Sequence, residues 1–250
     1  MNILGVGISA INLTQAVTEI ERWIVGRERQ YVNVCTVQTV MECQSAPALR
    51  RIVNGSGLST PDGMPLVWLS HLHGYRDAGR VYGPDLMLAL CERSGTTGHR
   101  HFFYGGAPGI ADRLASRLTQ RFPGLVVAGT HSPPYRPVDA VEDRAVLDAI
   151  NAAAPDIVWV GLGTPKQDYW VSRHRERLSA AALIAVGAAF DFHAGVRRQA
   201  PRWMQRSGLE WLFRLIQEPR RLAFRYLVYN PLFIGEVALQ MMGLRAYELD

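Results

Sequence analysis

Residues 157–168 read Ile-Val-Trp-Val-Gly-Leu-Gly-Thr-Pro-Lys-Gln-Asp, an apolar run that breaks through two glycines into the start of a helix. Residues 157–160 are apolar on both faces, as a parallel strand covered on both sides requires. Gly161 and Gly163 then remove side chains where the backbone turns. Thr164 is a suitable N-cap and Pro165 fits the first helical position. Gln167 stands three residues after Thr164, the spacing of a capping box. Lys166 is out of place here, because a cation in a helix's first turn opposes the macrodipole. It is also the single lysine among 27 Lys and Arg residues, so the choice is not compositional drift. An anion bound at this helix N-terminus, such as a diphosphate, would turn the cost into a gain. The alternative is that Lys166 simply faces solvent beside a well-capped helix.

Working outward, the strand-then-helix plan recurs. Residues 2–9 suggest a strand and 12–26 a helix, with Leu13, Ala16, Val17, Ile20 and Ile24 at helical spacing. Gly5, Gly7 and Ala10 fit the loose Gly-x-Gly-x-x-Gly/Ala dinucleotide pattern. A nicotinamide site also needs an acidic residue after the second strand. The strand at 31–35 ends instead in Thr36-Val-Gln38, which argues against that reading. A helix is expected at 39–53 and a turn-rich loop at 54–65, with Asp62-Gly63 at its centre as ordinary turn chemistry. Helices follow at 66–72 and 84–93, separated by a polar stretch carrying Arg76 and Arg80. Residues 101–104 form a strand leading into Gly105 and Gly106, then a helix to about 122. A strand at 125–129, a proline-rich loop at 131–137 and a helix at 142–153 lead back to the central strand. Residues 181–189 are again strand-like and run into Phe190-Asp191-Phe192. Strands alternating with helices imply an α/β fold, a Rossmann-like parallel sheet flanked by helices, with ligands outside the carboxyl ends of the strands. Thr36, Asp62, Gly105, Gly106, Lys166, Gln167 and Asp191 all fall there, as do Gly163 and Thr164 in the central break.

With 250 residues and 48% hydrophobic content the chain can bury a full core. Cys35, Cys43 and Cys91 are odd in number and widely spaced, which fits a reducing compartment and neither a disulfide framework nor a zinc knuckle. The N-terminus lacks a basic n-region and cleavage pattern and reads as a first strand. There is no Gly-x-Ser-x-Gly elbow, Walker loop or His-Glu-x-x-His, and no Asp-x-Asp pair to hold a metal on a diphosphate. Neither metal nor cofactor is expected. His71, His73, His99 and His101 read as surface or satisfied core histidines.

The charge is concentrated. Residues 197–225 carry eight arginines against Glu210 and Glu218, so this segment's +6 accounts for the chain's whole +5. Such a segment could face nucleic acid, anionic lipid or a phosphorylated substrate, and its interleaved Trp203, Trp211, Phe213, Phe224 and Tyr226 favour an interface with an apolar component. The apolar stretch 226–244 is interrupted at Asn230-Pro231, Glu236 and Gln240 and is too short to span a bilayer. The expected organisation is therefore an α/β core at 1–201 with a basic, amphipathic, helical, membrane-binding appendage at 202–250.

Asp62-Gly63, Val160-Gly-Leu-Gly-Thr-Pro-Lys-Gln-Asp168, Gly187-Ala-Ala-Phe-Asp191, Arg198-Gln-Ala-Pro-Arg-Trp203, Gly208-Leu-Glu-Trp211 and Glu218-Pro-Arg-Arg-Leu222 together closely resemble the bacterial WecG/TagA/CpsF glycosyltransferases. The resemblance covers most of the chain. It implies transfer of a hexose, often of N-acetylmannosamine type, from a UDP-sugar donor to a polyprenyl-diphosphate-linked sugar, inverting and metal-independent. The setting it implies is the cytoplasmic face of the bacterial inner membrane, in cell-surface polysaccharide synthesis. Asp62 is implied as general base, with Thr36, Arg80 and Gln167 as polar pocket residues. Gln38 stands where the family often has asparagine, a departure that bears on donor or acceptor preference. Lys166 and the tail arginines, especially Arg214, Arg220, Arg221 and Arg225, are expected to meet diphosphate charge or lipid. A homo-oligomer is compatible with the chain. The competing readings are a nicotinamide-dependent oxidoreductase and a non-catalytic membrane-surface binding protein.

Overall fold

The structure, a computed structural model, describes residues 1–134, 136 and 139–249. The side chains of Arg221 and Arg225, both named above as anion ligands, lie outside the described residues. In chain order the strands are β1 (Asn2–Ile3), β2 (Val6–Gly7), β3 (Gln30–Cys35), β4 (Leu58–Pro61), β5 (Arg100–Gly105), β6 (Val126–His131), β7 (Ile157–Gly161) and β8 (Ala182–Ala185). Six of them form a parallel sheet in the order β4-β3-β8-β7-β5-β6, flanked by helices. The chain divides into two compact units, Met1–Asn12 with Cys35–Val81 and the residues from Gln199 onward, and Leu13–Val34 with Tyr82–Arg198.

In the second unit the central strand is what its sequence requires. Ile157, Val158, Trp159 and Val160 are all fully buried, and β7 pairs in parallel with β5 on one side and β8 on the other. Each such side chain removed from water contributes about 1.5–3 kcal/mol. The helix Leu13–Gly26 buries Ala16, Val17, Ile20 and Trp23, the stripe its periodicity predicts. The helix Gly83–Thr97 buries Leu86, Met87, Leu90 and Cys91 and stops at Gly98, whose φ of 72° only glycine adopts freely. His101 is buried between Ser94, 2.6 Å from its Nε2, and the Trp159 indole, which donates to its Nδ1 at 2.8 Å. Burial pushes its pKa down to about 3, so it is a neutral core histidine.

The first unit departs from the sequence reading at three places. The expected strand at 2–9 is a short antiparallel hairpin, Asn2 opposite Gly7 and Ile3 opposite Val6, outside the parallel sheet. Leu4 and Gly5 turn it with φ of 51° and 78°, both positive as a type I′ turn demands. Gly5 and Gly7 therefore do not form a strand-to-helix phosphate turn, and the nicotinamide reading loses its fingerprint. The helix expected at 39–53 is two helices, Val37–Ser45 and Pro47–Asn54, broken at Ala46 because the residue before proline avoids helical angles. The loop expected at 54–65 contains β4, all four residues buried. Pro61 is tolerated as its last residue, and its carbonyl accepts from Val81 N at 2.9 Å.

The basic tail is woven into this unit. It forms helices Arg202–Arg206, Glu210–Gln217 and Pro219–Phe224, a π-helical turn Arg225–Tyr229, and helix Asn230–Met241 with Pro231 in its first turn. Phe233 and Val237 of the last helix share one core with Ile3, Leu4, Val6, Val40, Leu49, Val53 and Leu66. The compact units thus group residues from Gln199 onward with the N-terminus and residues 35–81. No helix of the described residues is long and apolar enough to cross a membrane.

Candidate active site

In the first unit three charged side chains distant in sequence converge. Asp62 follows β4 directly, and its backbone N–H donates to Cys35 O at 2.9 Å, which ties the strand's end to the end of β3. The Val81 N–H to Pro61 carbonyl bond brings the preceding residue, Arg80, alongside. Arg80 Nη2 donates to Asp62 Oδ1 at 2.9 Å and to Glu210 Oε2 at 2.6 Å; its Nε donates to Asp62 Oδ1 at 3.2 Å and also to the Asp62 carbonyl. The three side chains are only 17%, 14% and 12% exposed for Arg80, Asp62 and Glu210. Among the described residues no hydrogen bond reaches Asp62 Oδ2.

Burial pushes the Asp62 carboxyl up to about 6; the Arg80 guanidinium opposes this, the Glu210 carboxylate adds to it, and Arg214 opposes it. Burial by itself would lower the Arg80 pKa, but the two carboxylates more than reverse that, so Arg80 stays charged. Asp62 is thus an unusually basic carboxylate with one oxygen fixed and the other without a hydrogen bond among the described residues, a suitable proton acceptor near neutral pH.

Thr36 and Gln38 are next to this cluster in the chain. Thr36 is the N-cap of helix Val37–Ser45, its Oγ1 accepting from Thr39 N while the Thr39 hydroxyl accepts from Thr36 N at 3.2 Å. Gln38 Nε2 donates to Glu42 Oε1, one turn along the same helix. Arg214 lies one turn after Glu210 on helix Glu210–Gln217, and Arg220 is exposed.

The second unit gathers the glycine turns. β8, β7 and β5 are neighbours in the sheet, so their carboxyl ends adjoin. Gly105 closes β5 at φ 135°, and a Cβ there would lie 2.6 Å from the Gly161 backbone. Gly106 N donates to Gly161 O at 3.0 Å. Beyond β7, Gly163 (φ 78°) has open space where a side chain would be. Buried Gln167 accepts from Gly163 N at 3.2 Å and lies 3.5 Å from the Thr164 hydroxyl. This corrects the capping-box expectation. The helix begins at Lys166 with Pro165 as its N-cap, and Gln167 holds Gly163 instead of the Thr164 amide. Lys166 is exposed at the first helical position and forms no ion pair among the described residues. Asp191, after β8, pairs with Arg197 at 3.0 Å.

Glu210 is the residue the sequence reading passed over. It lies in the Gly208-Leu-Glu-Trp211 motif, but among eight arginines it counted only as an offsetting charge. An acidic residue in a helix's first turn also has an ordinary dipole explanation. Its partner is 130 positions away.

The chain belongs to the glycosyl transferase WecG/TagA/CpsF family, whose model matches residues 1–247. It is 28% identical over 226 residues to the N-acetylglucosaminyldiphosphoundecaprenol N-acetyl-beta-D-mannosaminyltransferase of Bacillus spizizenii, covering 90% of this chain and 85% of that one. The Staphylococcus aureus (strain MW2) protein of the same name is 25% identical over 240 residues, 95% and 92% of the two chains.

Proposed function

We propose that this protein transfers an N-acetylmannosamine-type hexose from a UDP-sugar to a polyprenyl-diphosphate-linked sugar, with inversion and without a metal. The observation that carries this reading is Asp62, whose raised pKa and second oxygen, without a hydrogen bond among the described residues, suit it to take the proton of a sugar hydroxyl. In one displacement the acceptor oxygen forms its bond to the anomeric carbon from the face opposite the leaving group. The bond to the UDP oxygen breaks, and the hydroxyl proton passes to Asp62. The names of the relatives support the sugar and the lipid-linked acceptor. Incubation with UDP-N-acetylmannosamine and a short-chain polyprenyl-diphosphate N-acetylglucosamine should give disaccharide-lipid at a rate unchanged by chelator. Chelator-abolished activity restored by magnesium would remove the metal-free part; no product from any UDP-hexose would remove the whole.

The leaving diphosphate needs positive potential. In this reading the first turn of helix Lys166–His174, the Gly163 turn and Lys166 provide it. Lys166→Ala should weaken UDP several-fold in calorimetric titration while leaving uridine unchanged. An equal effect on both ligands would count against this placement.

A lipid-linked acceptor keeps its diphosphate at the bilayer surface, so the enzyme is proposed to work at the inner membrane's cytoplasmic face. Ile216, Phe224, Leu227 and Ile234 are each about 70% exposed in the arginine-rich tail, an apolar and cationic combination suited to anionic lipid. Because Leu222, Phe233 and Val237 of the same tail are buried, point substitution tests this better than deletion. Changing Ile216 and Phe224 to serine should reduce co-sedimentation with phosphatidylglycerol vesicles; undiminished binding would remove the tail from membrane contact.

A further inference from the structure

We propose that Glu210 is a positioning residue for the transfer reaction, holding Arg80 so that it grips one oxygen of Asp62 and leaves the other for the acceptor hydroxyl. The proposal rests on the reading of Asp62 as base. Three features carry it. Arg80 Nη2 is shared between Asp62 Oδ1 (2.9 Å) and Glu210 Oε2 (2.6 Å), so the guanidinium is clamped from both sides. The contact on Asp62 is one-sided: Nε and Nη2 both reach Oδ1. An arginine with no second partner favours the bidentate fork across both carboxylate oxygens, which would occupy the oxygen needed for proton transfer. Glu210 is also nearly buried, a position an acid occupies only when paired, and Arg80 is the partner that satisfies it.

Charge follows the same logic. Among the described residues, the charged groups acting on Asp62 are Arg80 from the segment before helix Gly83–Thr97, and Glu210 and Arg214 from helix Glu210–Gln217. The first turn of the helix that follows Asp62, Met64–Leu72, contains no titratable side chain. Two carboxylates sharing Arg80 leave Asp62 more basic than a simple ion pair would. A simple pair would pull it down and make it a weaker proton acceptor.

The test uses the full-length enzyme and two readouts: the pH profile of kcat/KM, and the titration of the Asp62 carboxyl followed by carbon NMR without substrate, assigned by its loss in Asp62→Asn. Glu210→Gln retains an acceptor for Arg80 but removes the charge. It should move both the acid limb and the NMR titration down by about one pH unit, with a plateau rate reduced several-fold. Glu210→Asp, which keeps the charge but draws it back, should shift both less and in the same direction. A variant that is less heat-stable but titrates Asp62 at the wild-type pH would overturn the proposal, and one folded variant of the two is enough to decide it. If Asp62→Asn transfers sugar at full rate, the base reading itself fails, whatever the titration shows.

Discussion

Asp62→Asn is expected to lower turnover by about 10²–10⁴-fold with UDP binding unchanged. Asparagine keeps the shape and turn propensity of the position and can still accept from Arg80 through its carbonyl oxygen. What it cannot do is take a proton from the acceptor hydroxyl. The wild-type enzyme should also show an acid limb near pH 6, since Asp62 must be ionised to act as a base and burial has pushed its pKa up to about 6. Below that pH the proton already occupies the base and kcat/KM falls tenfold per unit; above it the profile is flat until another group titrates. The variant's residual activity should lack that limb. Near-normal turnover in Asp62→Asn, or an identical acid limb in both enzymes, would remove Asp62 from the chemistry.

The second large effect is on stability. Arg80→Met retains much of the side chain's apolar volume but strands Asp62 and Glu210 beside each other without their shared cation. Breaking a largely buried ion pair from one side costs about 3–5 kcal/mol. The sign of its pH dependence follows from Asp62. Its folded pKa lies above its unfolded value of 3.8 already, and losing Arg80 raises it further. A carboxyl shifted upward favours the folded state most when protonated, so its contribution is fully present below about pH 3.8 and is lost as pH rises through the folded value. The melting-temperature gap between Arg80→Met and wild type should therefore be widest at pH 7–8 and narrow steadily toward pH 4. A gap independent of pH would mean that Arg80 supports the fold by packing rather than by charge.

Much of the second unit was legible because its signals are local. The 157–168 stretch announced a strand buried on both faces, and the apolar run of β7 is completely buried. The glycines of that stretch and Gly105-Gly106 announced turns at strand ends, where they stand. The capping box was misread because the same Thr164, Pro165 and Gln167 can serve a helix that starts one residue later. The first unit was harder. The hairpin at Asn2–Gly7 alternates apolar residues much as a single strand would, and β4 lies within a run of turn residues. In both cases the deciding partner is remote: Phe233 and Val237 complete the core against the hairpin, and Val81 binds the end of β4.

The sequence by itself determined the alternation of strands and helices, the position of the glycine turns, the family and the nomination of Asp62, because each rests on residue types at short, fixed spacing. Only the tertiary structure decided how Asp62 is made basic and how much of the basic tail is core. Those depend on burial and on contacts across 18 and 130 positions, from Arg80 to Asp62 and to Glu210. An arginine or a glutamate has the same side chain whether it faces water or another charge; folding alone removes the water and sets the distance, and these two quantities fix the strength of the interaction.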